Sequence, residues 1–161
     1  MTDMKTLEEK LHSQLQLYES LYRLLGEETG ALAAMNLADI EDMTRQIDEL
    51  SEDIREADAS LRRIVSALAA ERGFAPEAAL GTIAAAMGKQ KIFQLCRKLS
   101  ETWQRIQDVA ALNGTICEQF VKTAALAGDL LGNLVNSSQM YGASGGYVWN
   151  TSGSTMINKE A

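Results

Sequence analysis

The feature that most constrains this chain is a heptad pattern that runs unbroken from residue 40 to residue 68. Apolar side chains recur there at alternating spacings of three and four over four heptads, while charged side chains fill the outward positions. The apolar stripe consists of Ile40, Met43, Ile47, Leu50, Ile54, Ala57, Leu61, Ile64 and Leu68. This regularity predicts a long helix that packs on its neighbours at a shallow angle, begins after Asn36 and ends at Arg72-Gly73.

A second long helix is predicted over residues 3–34, before the heptad helix. Its stripe is interrupted twice, where the polar residues Gln14 and Glu28 take apolar positions. The apolar members are Met4, Leu7, Leu11, Tyr18, Leu21, Leu25, Leu32 and Met35. The face is broad enough to meet two neighbouring helices.

A short connector helix and a third long helix are predicted after the heptad helix. Pro76 suits the first position of the connector, which is expected to stop near Gly88. The third long helix begins near Lys89 and extends past residue 130, with Asn113 as a polar member of its stripe and Trp103 in the core. Asn113 is expected to set helix register by pairing with another polar side chain. Gly114, Gly128 and Gly132 leave open whether this helix is continuous.

The composition changes abruptly after Asn136, where Gly, Ser, Thr and Asn dominate and no helical period remains. We therefore expect a helical domain over residues 1–136 and a flexible tail over residues 137–161. The predicted fold is all-α: an elongated antiparallel bundle, or coiled coil, of three long helices plus the connector.

Charge and residue chemistry exclude several classes of function. The net charge is −7, and residues 1–72 alone carry 16 acidic and 8 basic side chains, so neither nucleic acid nor an anionic membrane is an expected partner. His12 is the one histidine and is expected to be solvated, so metal sites, cofactors and nucleophilic catalysis are not expected. Cys96 and Cys117 fit small core residues of a reducing compartment. No signal peptide or membrane span is recognisable, and the chain is expected to be cytoplasmic.

The candidate binding site is the stretch from residue 116 to residue 135, which is apolar on nearly all sides. A helix of this kind needs cover from more than one direction. The candidate contacts are Ile116, Phe120, Leu126, Leu130, Leu131, Leu134 and Val135, together with the tail aromatics Tyr141, Tyr147 and Trp149. Phe120 and Leu131 also fit plain core packing, and the tail aromatics also fit docking on the bundle itself.

This organisation resembles the FlgN family of flagellar type III export chaperones. The resemblance is carried by Leu95-x3-Leu99, Asn113-Gly114, the apolar turns through Leu134, the Tyr141-Gly142 pair and the closing MINKEA. It implies a cytosolic, non-catalytic chaperone that binds the C-terminal helical segments of hook–filament junction proteins. Such a chaperone keeps its clients unpolymerised and passes them to the export apparatus. The resemblance places client binding in the last part of the third long helix and in the tail.

Two other functions fit the same sequence. One is a coiled-coil adaptor that forms homo-oligomers through residues 116–136, and the other is a chaperone for a different flagellar subunit. The identity of the client, the affinity and the oligomeric state are left open by the sequence.

Overall fold

The computed structural model describes the backbone of residues 3–140 and the side chains of residues 3–135. Over these residues the chain forms four helices: α1 (Met4–Ala33), α2 (Leu37–Arg72), α3 (Leu80–Ala86) and α4 (Gln90–Met140). The all-α expectation is confirmed. The α4 helix is continuous through Gly114, Gly128 and Gly132 and extends to Met140.

The starts of α1 and α2 are fixed by side-chain caps. Asp3 accepts a hydrogen bond from the backbone N–H of Lys5 at 3.0 Å, and this bond, together with the one from the Thr6 hydroxyl, lowers the pKa of the Asp3 carboxyl. At α2, Asn36 accepts from the backbone N–H of Asp39 at 3.3 Å, as its sequence position predicts. Both caps satisfy donors that the first helical turn leaves without a partner.

The ends of α1, α2 and α3 share one hydrogen-bond pattern. A residue in the left-handed region follows each helix, and the N–H of the next residue returns to a carbonyl five residues back. Gly73 (φ 71°) and Gly88 (φ 66°) take this position after α2 and α3, but Met35 (φ 54°) takes it after α1. The predicted core role of Met35 is therefore wrong, since its side chain is exposed at the turn.

The connector begins later than its sequence predicts. Pro76 lies in a turn, closed by a 2.9 Å bond from the Ala78 N–H to the Ala75 carbonyl, and α3 starts only at Leu80. Proline favours the second position of a turn as strongly as the first turn of a helix, so its presence did not decide between them.

Contacts divide the chain into an N-terminal unit, Met1–Ile116, and a C-terminal unit, Cys117–Ala161. The N-terminal unit holds two clusters of buried side chains. One contains Leu7, Leu68, Ile83 and Leu95, and so joins all four helices. The other contains Leu21, Ile54 and Ile106, and so joins α1, α2 and α4.

Candidate functional site

The stripe of α4 is core in the N-terminal unit. Ile92, Leu95 and Ile106 are 3–7% exposed, and each belongs to one of the two buried clusters. Trp103, which was expected in the core, is 41% exposed. It lies at the edge of the core and packs on Tyr18, with the ring centroids 5.3 Å apart. A large indole at the rim of the core keeps the helical spacing of apolar residues without being enclosed. The spacing alone therefore predicted Trp103 as a core residue.

A polar layer closes the core at the level of Asn113, which is 4% exposed. Its amide nitrogen donates to the Leu25 carbonyl at 3.0 Å and to the Glu28 carboxylate at 2.8 Å. Its amide oxygen lies 2.6 Å from the Thr29 hydroxyl, which has one hydrogen to donate. The two N–H groups of this buried amide are thus satisfied by α1, and its oxygen shares the single Thr29 hydroxyl hydrogen with the Leu25 carbonyl, which lies 2.9 Å from that hydroxyl. The geometry agrees with the register role that the sequence predicted.

Both polar interruptions of the α1 stripe form contacts between helices. Glu28 accepts from Asn113 on α4, and its other oxygen lies 3.4 Å from the hydroxyl of Thr44 on α2. Gln14, 1% exposed, donates to the carboxylate of Asp58 on α2 at 2.7 Å. Burial raises the pKa of the neighbouring Tyr18 phenol, and the charge of Asp58 raises it further. Polar pairs inside an apolar seam restrict which registers the helices can adopt.

Most of the large apolar side chains between residues 117 and 135 are exposed. Between 54% and 70% of the surface of each of six large residues is accessible: Val121, Leu126, Leu130, Leu131, Leu134 and Val135. Phe120 is half-buried, and so is Ile116, which belongs to the N-terminal unit. This density of exposed apolar side chains on one helical segment is typical of an interaction surface.

The structure describes seven of the ten candidate contacts. Five of them (Leu126, Leu130, Leu131, Leu134 and Val135) lie together on the C-terminal unit with their side chains exposed. Tyr141, Tyr147 and Trp149 lie outside the described residues. Sequence reasoning did not single out Val121, although it lies within the apolar stretch and is exposed to 70%.

Four further exposed apolar side chains of the N-terminal unit were also not predicted, and one of them is Phe93. Leu112, next to Asn113 but off the stripe, is half exposed, and Met35 and Leu37 flank Asn36 in the turn between α1 and α2. Leu37 is the first residue of α2 and directly follows the Asn36 cap. This position at a helix end was the one sequence signal for the exposure of Leu37.

The clefts of the N-terminal unit are lined mainly by charged and polar side chains. One cleft of about 290 Å³ between α1 and α4 is lined by side chains that include Glu8, His12 and Lys98. His12 is exposed, as predicted, and its Nδ1 lies 2.9 Å from the Glu8 carbonyl. Lys91 forms a 3.7 Å ion pair with Glu8 across this cleft.

Neither a cluster of three His, Cys, Asp or Glu side chains placed to hold a metal ion nor a helix apolar and long enough to span a membrane occurs in the described part of the chain.

The fold and the exposed apolar segment define a class: an all-helical protein that presents apolar side chains along one helix. Comparison with known families makes this specific, because a family model described as FlgN protein matches residues 1–148. The chain belongs to the FlgN family, which is a family of flagellar export chaperones. Comparisons with curated proteins and with solved structures returned no match.

Proposed function

We propose that this protein is a cytoplasmic chaperone that binds the C-terminal helical segments of hook–filament junction proteins and delivers them to the flagellar export apparatus. The observation that carries the proposal is the set of exposed apolar side chains on α4 beyond residue 117. Membership of the FlgN family supports it. The bound client remains unpolymerised because the surface through which it would assemble is covered.

The binding mode follows from the chemistry of this segment. Amphipathic helical segments of the client lay their apolar faces against Leu126, Leu130 and Leu131, which are exposed and closely spaced along α4. Burying each of these side chains contributes roughly 1.5–3 kcal/mol before the cost of ordering the client. Leu134 and Val135 extend the same surface, and Ile116 and Phe120 border it. We include the tail aromatics Tyr141, Tyr147 and Trp149 as further client contacts, in the part of the sequence that follows α4.

Calorimetry with the C-terminal segment of a junction protein from the same organism tests the proposal. The variant carries Leu126→Asp and Leu130→Asp. These substitutions place two charges on the apolar surface and replace no buried residue. The matched control carries Lys122→Gln and Asp129→Asn, which are exposed substitutions on the same turns. We expect binding by the wild type and the control, and a loss of at least 100-fold in affinity for the variant.

Circular dichroism must show the same helix content for the three proteins. If the folded wild type binds no junction segment, the proposal is wrong. If it instead forms a homodimer that the two aspartates dissociate, the adaptor function replaces it. Binding of another flagellar subunit in place of the junction proteins would assign a different client.

A further inference from the structure

The charged side chains of residues 117–135 lie on one narrow side of α4. Successive residues of a helix are about 100° apart around its axis, so Glu118, Lys122 and Asp129 fall within roughly 40° of one another. All three are exposed, and residues 117–135 contain no other charged residue. This charged stripe marks the one side of the segment that is suited to water.

The apolar side chains occupy most of the remaining circumference. From Leu126 round to Val121, the apolar arc spans roughly 220°. It consists of two rows about 90° apart. The leucine row contains Leu126, Leu130 and Leu134, spaced by four residues, and the heptad row contains Phe120, Ala124, Ala127 and Leu131.

The leucine row is polar in its first turns and apolar afterwards. Gln119 and Thr123 precede Leu126 on this side, and the Thr123 hydroxyl donates to the Gln119 carbonyl at 2.9 Å. Its hydrogen-bonding capacity is therefore met within α4. Two full turns of uninterrupted leucines follow, so the row offers a partner a continuous apolar contact from residue 126 onward.

An arc of this width exceeds what one helix covers. A single partner helix packs on a stripe of about 100°, and the seam of a two-stranded coiled coil is narrower still. Within this chain α1 already contacts two helices, through Gln14 to Asp58 of α2 and through Thr29 to Asn113 of α4. The C-terminal unit presents the same double requirement with its side chains exposed.

We propose that the client of this chaperone supplies two helices, one packed on the leucine row and one on the heptad row, with the charged stripe facing solvent. The inference rests on the proposed function and specifies the architecture of the complex. The surface is assigned to two helices of one client chain because the chain belongs to a family of export chaperones, and a second copy of this protein is an outcome that the test distinguishes.

Thiol protection in the full-length protein tests this arrangement. In a background of Cys96→Ala and Cys117→Ala, three variants carry one cysteine each: Leu130→Cys on the leucine row, Leu131→Cys on the heptad row and Lys122→Cys on the charged stripe. Iodoacetamide alkylation is followed by mass spectrometry, alone and with two client segments. One segment contains two helices of the client's C-terminal region and the other is shortened to one.

The two-helix segment is expected to slow alkylation at least tenfold at Leu130→Cys and at Leu131→Cys, and less than twofold at Lys122→Cys. The one-helix segment is expected to protect only one of the two rows. Protection of both rows by the one-helix segment, or of only one row by the two-helix segment, overturns the inference.

Three other results also decide the matter. Protection that rises with protein concentration without client shows that a second copy covers the rows, and overturns the inference. Protection in the dilute free chain that disappears when residues 141–161 are deleted assigns the cover to the chain itself, and also overturns it. If calorimetry detects no binding of either segment, the proposed chaperone function fails, and this inference fails with it.

Discussion

Two stretches of α4 carry the same kind of apolar stripe and differ in what covers it. In the N-terminal unit, Ile92, Leu95 and Ile106 are buried among side chains of the other helices. In the C-terminal unit, Leu126, Leu130 and Leu131 are mostly exposed. Both stretches lie in one continuous helix, Gln90–Met140, so helix formation and burial are separate outcomes of the pattern.

The difference shows that a helical period specifies a face and not its partner. The first stretch is covered by α1, α2 and α3 of the same chain, and its apolar residues stabilise the fold. The second carries its apolar side chains over a wider arc, and only three of residues 117–135 are charged. Because its side chains are exposed, they contribute little to the stability of the free protein. This exposure is the physical basis of the proposal that they bind a client.

The largest expected effect distinguishes the two stretches by stability. Leu95→Ala creates a cavity beside Leu7 and Ile83 and is expected to lower the free energy of unfolding by about 2–5 kcal/mol. Leu131→Ala removes an exposed side chain and is expected to change it by less than about 0.5 kcal/mol. Urea unfolding followed by circular dichroism measures both, and equal losses would show that residue 131 is core.

The polar layer at Asn113 gives a smaller effect. Asn113→Ala leaves Glu28 and the Leu25 carbonyl without their bonds from α4, which is expected to lower the free energy of unfolding by about 1–3 kcal/mol. Thr115→Ala is the control, since that exposed hydroxyl bonds only to the Ala111 carbonyl of its own helix. Equal urea midpoints for the two variants would contradict a role for the layer in holding α4 on α1.

The two free cysteines report on the two stretches directly. Cys96 is half-buried, and burial raises the pKa of its thiol, whereas Cys117 is exposed and not the core residue that its position predicted. Because the thiolate is the reactive form, we expect Cys117 to be alkylated at least about tenfold faster than Cys96 at pH 7.5. Peptide mapping after brief iodoacetamide treatment measures the ratio of the two alkylation rates. Comparable rates would contradict the difference in burial between Cys96 and Cys117.

The smallest effect concerns Tyr18, which the bundle half-buries. Burial raises the pKa of its phenol above the usual value of about 10. The unfolded phenol therefore ionises first, so this group's contribution to stability is complete below about pH 10 and is lost as the pH rises through the folded pKa. Between pH 8 and pH 11 the wild type is expected to lose slightly more unfolding free energy than Tyr18→Phe. If urea titrations show that the wild type and Tyr18→Phe lose equal unfolding free energy over this pH range, the burial of the Tyr18 phenol is contradicted.

Much of the fold follows from local pattern. The heptads of α2, its Asn36 cap and its Gly73 end were predictable because each satisfies backbone groups with a residue type suited to that task. Pro76 and Met35 were not, since a proline serves turns and helix starts alike, and a methionine seldom takes the left-handed position at a helix end. In the structure, local bonds close both turns, from the Ala78 N–H to the Ala75 carbonyl and from the Asn36 N–H to the Ala31 carbonyl.

The location of the candidate site along the chain was easier to predict than the exposure of its individual side chains. The exposure of Leu126, Leu130 and Leu131 follows from an apolar arc wider than the helices of this chain cover, which the sequence indicates. The half-buried state of Phe120 and the exposure of Trp103 and Val121 depend on side-chain packing, which the period does not specify. The partners of Asn113 also required the structure, because several polar residues of α1 were available to it.

Amide hydrogen exchange of the full-length protein, with and without a saturating junction-protein segment, tests the central claim most directly. We expect the amides of residues 117–135 to gain at least about tenfold protection when the client is present, while residues 92–113 of the same helix exchange at unchanged rates. Equal protection of both stretches in the free protein, with no change on adding a segment that calorimetry shows to be bound, would contradict the assignment of the second stretch to the client.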